Sequence, residues 1–160
     1  MPYYAVGGNQ ATMAASYKGT IATWTVTATL KRHKWYEIII GATGNPNATD
    51  TAIQVDVSRL LATTSLAGTA ASNGPLDPGD GASVISNLTS ITTEPNAALI
   101  TPSLMNFGLN QRNTTRWIAA QESQYFVAPT TNLNGLYMRA LSPNYTGSGA
   151  TLATQVYYME

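Results

Sequence analysis

Ala52-Ile53-Gln54-Val55-Asp56-Val57-Ser58-Arg59-Leu60 places Ile53, Val55 and Val57 on one side and Gln54, Asp56 and Ser58 on the other. A period of two apolar positions is the pattern of a strand with one wet and one dry face. The same period runs through residues 20–29, where Trp24, Val26 and Ala28 alternate with Thr23, Thr25, Thr27 and Thr29. Residues 35–42 carry a continuous apolar run, Ile38-Ile39-Ile40, which predicts a strand buried on both faces. Further strands are expected at 83–88, 99–101, 116–120, 125–127, 135–141 and 151–158.

Gly, Asn, Pro and Asp separate these runs. Gly44-Asn45-Pro46-Asn47, residues 68–81 with Asn73-Gly74-Pro75 and Asp77-Pro78-Gly79-Asp80-Gly81, and residues 142–149 all read as turns or loops. Amphipathic helix periodicity is absent from the pattern, and Ala11–Ala15 offers at most one helical turn. The expected fold is all-β: an antiparallel β-sandwich or jelly-roll-like barrel with extended loops, formed as one domain over 1–160. Residues 1–16 read as an extended N-terminal arm. The expected core is Trp24, Val26, Ile38, Ile40, Ile53, Val55, Val57, Ile118, Met138 and Val156.

The chain has 160 residues, 44% of them hydrophobic and only 10% charged, with a formal net charge of zero. Soluble domains carry roughly 25% charged residues. A neutral, charge-poor surface favours self-association or coverage by partners. A basic excess is missing, which argues against nucleic acid. Residues 1–6 lack the basic and apolar regions of a secretory signal, and no apolar run is long enough to span a bilayer, so no membrane is expected.

Chemistry is sparse. Without cysteine there is no disulfide framework, thiolate site or Cys nucleophile. His33 is the one histidine and sits in Lys31-Arg32-His33-Lys34, which reads as a solvated hairpin tip. It cannot by itself supply a zinc site or a triad. Asp77 and Asp80 could offer oxygens to calcium, but turn formation explains them better. No catalytic, metal or cofactor-binding residue is expected. Tyr3 and Tyr4, in the arm, stand out as interface candidates, because tyrosine combines apolar area with a polar end.

An ordered pattern in the second half adds to this. It runs Gly74-Pro75-Leu76-Asp77-Pro78-Gly79-Asp80, Arg116-Trp117-Ile118-Ala119-Ala120 with Glu122 and Pro129, Gly135-Leu136-Tyr137-Met138-Arg139-Ala140, Tyr145-Thr146-Gly147 and Val156-Tyr157-Tyr158-Met159-Glu160. It resembles the capsid cement, or decoration, proteins of tailed bacteriophages, particularly those of cyanophages. The resemblance covers residues 74–160. It implies a β-sandwich or barrel that is made in the bacterial host cytoplasm and then sits on the outer capsid surface of the virion. It also implies a non-enzymatic protein that bridges major capsid protein subunits as a dimer or trimer. The expected contact residues are Tyr3, Tyr4, Pro75, Leu76, Asp77, Pro78 and Asp80. Residues 94–115 and the basic turn at 31–34 depart from the pattern. A head-fibre or tail component, and a carbohydrate-binding β-sandwich module, are the rival expectations.

Overall fold

In the computed structural model, described over residues 1–9, 17–26, 32–46, 48–61, 67–94, 102–131, 134–142 and 150–160, Tyr3–Asn9 forms the first strand, β1. Of residues 9, 17–26, 142 and 150 the backbone alone is described. The chain continues through β2 (Tyr17–Val26), β3 (Lys34–Gly44), β4 (Ala52–Leu60), β5 (Ala67–Ala71) and β6 (Gly74–Pro75). It closes with β7 (Ile85–Thr93), β8 (Met105–Asn110), β9 (Thr114–Ile118), β10 (Phe126–Val127), β11 (Gly135–Ser142) and β12 (Ala150–Met159). The helical content among the described residues is one 3-10 turn, Glu122–Gln124.

Every strand pair is antiparallel. Sheet A runs β10-β3-β12-β1-β6, with β9 also paired to β3; sheet B runs β5-β7-β2-β11-β4-β8. The two sheets are open, each with its own edges, so the molecule is a sandwich and not a closed barrel. No helix among the described residues is long and apolar enough to cross a membrane.

One core fills the space between the sheets. Sheet A contributes Tyr4, Val6, Trp35, Ile38, Ile40, Leu152, Val156 and Tyr158; sheet B contributes Ile53, Val55, Val57, Ile85, Leu109, Leu136, Met138 and Ala140. Alternation explains the list: on β4 the inward positions Ile53, Val55 and Val57 are fully buried. Of the expected core, Ile38, Ile40, Ile53, Val55, Val57, Met138 and Val156 are buried. The side chains of Trp24 and Val26 lie outside the described residues. So do the expected strand at 99–101, the possible helical turn at 11–15, Asn47 and residues 143–149.

Four expectations are corrected. Residues 3–9 are not an arm: β1 is an interior strand, paired along its whole length with β12 from Tyr3↔Met159 to Asn9↔Ala153, and with β6 on its other side. The remainder of the expected arm, 10–16, lies outside the described residues. Ile118 is 49% exposed, because it pairs with the outward Glu37 while Trp117 pairs with the inward Ile38. Ile39 is only half-buried, since sheet A is covered on one face and not on both. His33 is fully buried and is no solvated tip. It prolongs β3, where its carbonyl accepts a hydrogen bond from Ala128 N (3.0 Å). Its ring sits between Trp35 (6.3 Å) and Tyr158 (6.0 Å).

Candidate functional site

The outer faces of the two sheets differ. On sheet B, Tyr137 lies opposite Ser58, and Arg139 opposite Asp56, all pointing away from the core. Even so, Asp56, Ser58 and Tyr137 are buried. Residues 102–104 lie against this face: Ser103 Oγ donates to the Asp56 carboxylate, and Leu104 N donates to Val57 O (2.8 Å). Arg139 completes the patch with an ion pair to Asp56 at 3.2 Å.

Sheet A turns an aromatic face outward, on which the charges are the Arg116–Glu37 pair. Antiparallel register places directly paired residues on the same side. One row across the sheet reads Ile118, Glu37, Tyr157, Ala5; the next reads Arg116, Ile39, Gln155, Gly7; the next Thr114, Gly41, Ala153, Asn9. A bulge alters the upper end. Tyr157 pairs with Glu37 but Tyr158 pairs with Trp35, so Tyr36 is the extra residue. Trp35 and Ile38 point into the core, which leaves both Tyr36 and Glu37 on the outside.

Tyr36 becomes the hub of a tyrosine cluster. Its ring lies 5.8 Å from Tyr3 in an edge-on arrangement, 6.2 Å from Tyr125 and 6.3 Å from Tyr157. These spacings fall within the usual aromatic contact range. Partial burial raises the Tyr36 phenol pKa, and the nearby Glu37 charge adds to it. At the β6 edge the cluster meets Leu76, whose N donates to Tyr3 O (2.8 Å). At the β9 edge Ala119 N donates to Tyr36 O (2.9 Å), bringing Ile118 alongside. Tyr3, Leu76 and Ile118 are 44%, 50% and 49% exposed. The result is a tyrosine stripe centred on Tyr36, with Leu76 beside Tyr3 at the β6 edge and Ile118 at the β9 edge, across Glu37 from Tyr157. The ion pair flanking it, Arg116–Glu37 at 2.6 Å, is internally neutral.

The expected contact residues separate into groups. Tyr3, Pro75 and Leu76 are brought together by the β1–β6 pairing. Asp77 and Pro78 are exposed in the loop beyond, with Asp80 half-buried. Asp77 Oδ1 accepts from Gly79 N (2.8 Å) and Asp77 O from Asp80 N (3.0 Å), so the carboxylate serves a turn. Tyr4 is corrected: it is 2% exposed. It stacks on Tyr158 at 5.4 Å and donates its hydroxyl to Gly81 O at 3.1 Å. Alternation forces this, since Tyr3 and Tyr4 must face opposite sides of one strand. Tyr36, Tyr125, Tyr157 and Ile118, which share this face, are not among the expected contact residues. The tyrosine count hinted at them, but their convergence depends on the bulge and on strand order.

Several acidic residues are occupied with structural partners. Glu37, Asp50 and Asp56 each meet an arginine, and Glu160 accepts from Ser83 Oγ. No group of three or more His, Asp or Glu suited to a metal occurs among the described residues. In comparisons with known proteins, no family model matches the chain and no curated protein is significantly similar to it.

Proposed function

We propose that this protein is a capsid cement protein. In this reading it is a non-enzymatic virion component, made in a bacterial host, that docks on the outer surface of an icosahedral phage head as a dimer or trimer and bridges neighbouring major capsid subunits. The observation that carries the docking mode is the stripe on sheet A. Tyr3, Tyr36, Tyr125 and Tyr157 form one aromatic surface, continued by exposed Leu76 and Ile118. Contiguous exposed apolar surface of this kind marks protein–protein contact, and tyrosine is favoured there because it fills area at little entropic cost. The choice of a capsid as partner rests on the resemblance over residues 74–160. Repeated weak contacts on a lattice add up.

The test is depletion and restoration. Particles stripped of the protein, or made without its gene, are exposed to heat and osmotic shock, and purified protein is added back. The reading expects earlier genome loss without the protein and recovery with it. Particles of unchanged resistance, or protein found in only a few copies at the tail, would assign the chain to another virion role.

A further inference from the structure

We propose that the lower part of the outer face of sheet A is a binding site for a neutral saccharide, separate from the tyrosine stripe. A trough of about 300 Å³ opens there, lined by Ile39, Gly41, Thr43, Thr114, Ala153 and Gln155 among others. Its cause is local. Gly41 and Ala153 pair at the middle of the sheet and give the face no bulk, while larger residues stand around them. Two glycines let polar side chains lie flat across the backbone. A Cβ on Gly41 would come within 2.7 Å of Thr114 Oγ1, and one on Gly7 within 3.1 Å of Gln155 Oε1. The walls of the trough are therefore an amide and hydroxyls.

The lining chooses the ligand class. None of the residues around the trough is charged. The adjacent Arg116 is paired with Glu37, which offsets its charge toward an acid. Ile39 and Ala153 give an apolar floor. The Gln155 amide and Thr114 hydroxyl provide donors and acceptors without an assigned partner among the described residues, and Thr43 Oγ1 donates to Thr151 O while keeping acceptor capacity. A pyranose has the matching character: an apolar C–H face for the floor and a rim of hydroxyls for the walls. The volume is at the small end of ligand pockets, roughly 300–1,000 Å³, which suits a mono- or disaccharide unit. An acidic glycan lacks a partner here, and an apolar peptide would leave the Gln155 amide unsatisfied.

The experiment titrates the full-length protein with a panel of neutral gluco-, galacto- and manno-configured oligosaccharides, followed by amide NMR shifts. Saturable shifts centred on residues 39–43 and 153–155 are expected for at least one member at millimolar sugar. Ala153→Leu, which fills the trough, should abolish them. Gln155→Ala, a change at a half-buried position on the outer face, should weaken binding about tenfold, equivalent to about 1.4 kcal/mol. Tyr3→Ser, in the stripe, should leave sugar binding unchanged. Absence of saturable shifts across the panel, binding that survives both trough variants, or preference for an anionic oligosaccharide would overturn the proposal. Capsid docking is read in a separate assay, so either idea can fail alone.

Discussion

His33 is the residue whose surroundings differ most from its sequence context. Flanked by Arg32 and Lys34, it reads as wet, yet the ring is fully buried and both ring nitrogens lack a hydrogen-bond partner among the described residues. Neighbouring charges do not decide burial; the docking of Ala128 on the His33 backbone does, and that contact is distant in sequence. Desolvation lowers the His33 pKa from 6.5 to about 3. The folded state therefore holds the ring neutral while the unfolded chain protonates near 6.5. Its contribution to stability is complete above that pH and is lost as pH falls from 6.5 toward about 3. The loss approaches about 1.4 kcal/mol per pH unit, or about 2 kcal/mol between pH 7 and pH 5. Urea titrations at the two pH values should show this loss in the wild type and not in His33→Leu. Asp56 makes a second prediction at this scale. It is 5% exposed and accepts from Arg139, Ser58 and Ser103. Asp56→Ala strands the arginine, so a cost toward the lower end of about 3–5 kcal/mol is expected, because the Arg139 side chain keeps 24% exposure. Chemical denaturation measures it directly.

Among the elements, legibility followed the pattern of alternation. β4 and β12 are legible because branched or aromatic residues fall on every second position, and β11 because Leu136, Met138 and Ala140 do so as apolar residues. β1 was hidden: its inward positions are Tyr4, Val6 and Gly8, and a glycine gives no hydrophobic signal. Gly8 is nevertheless a packing residue. A Cβ there would lie 2.6 Å from Thr89 Cγ2 and 3.2 Å from Thr154 Oγ1, between the two sheets. β8, Met105–Asn110, is absent from the expected strands, although Met105, Phe107 and Leu109 alternate with Asn106, Gly108 and Asn110. Gly108 breaks the look of a strand but meets nothing within 4 Å at its Cβ position. The two glycines should respond oppositely. Gly8→Ala should destabilise by about 1–3 kcal/mol through overpacking. Gly108→Ala should be neutral or stabilising by up to about 1 kcal/mol, because it restricts the unfolded chain without a clash. Thermal melts of the two variants against wild type decide the point. The bulge at Tyr36 was the hardest feature to foresee. It is a register shift between β3 and β12, and no residue in either strand announces it.

At the scale of the whole molecule, charge and shape together set how docking should behave. The formal net charge is zero, and the ion pair beside the stripe cancels within itself. Long-range steering is then weak, and the affinity must come from apolar area and backbone contacts. A standard interface takes about 800 Å² from each partner, roughly a tenth of the 7560 Å² surface of this chain. The stripe lies along a single sheet face, so under the proposed capsid reading contact at one lattice point would be modest and the lattice would multiply it. Two consequences can be measured by add-back to depleted shells, and a third by thermal melts. Raising salt from about 0.05 to 0.5 M should change occupancy little, because exposed charges are screened beyond about 10 Å at 0.1 M and few take part. Tyr3→Ser and Leu76→Ser should each reduce occupancy while leaving the melting temperature near wild type, since both side chains are about half exposed. Tyr4→Ser should instead lower the melting temperature, because Tyr4 packs on Tyr158 inside the core. If Tyr3→Ser and Leu76→Ser bind shells as well as wild type, the tyrosine face is not the docking surface. The contact would then have to be sought elsewhere, with the exposed loop at Asp77 and Pro78 as the first alternative.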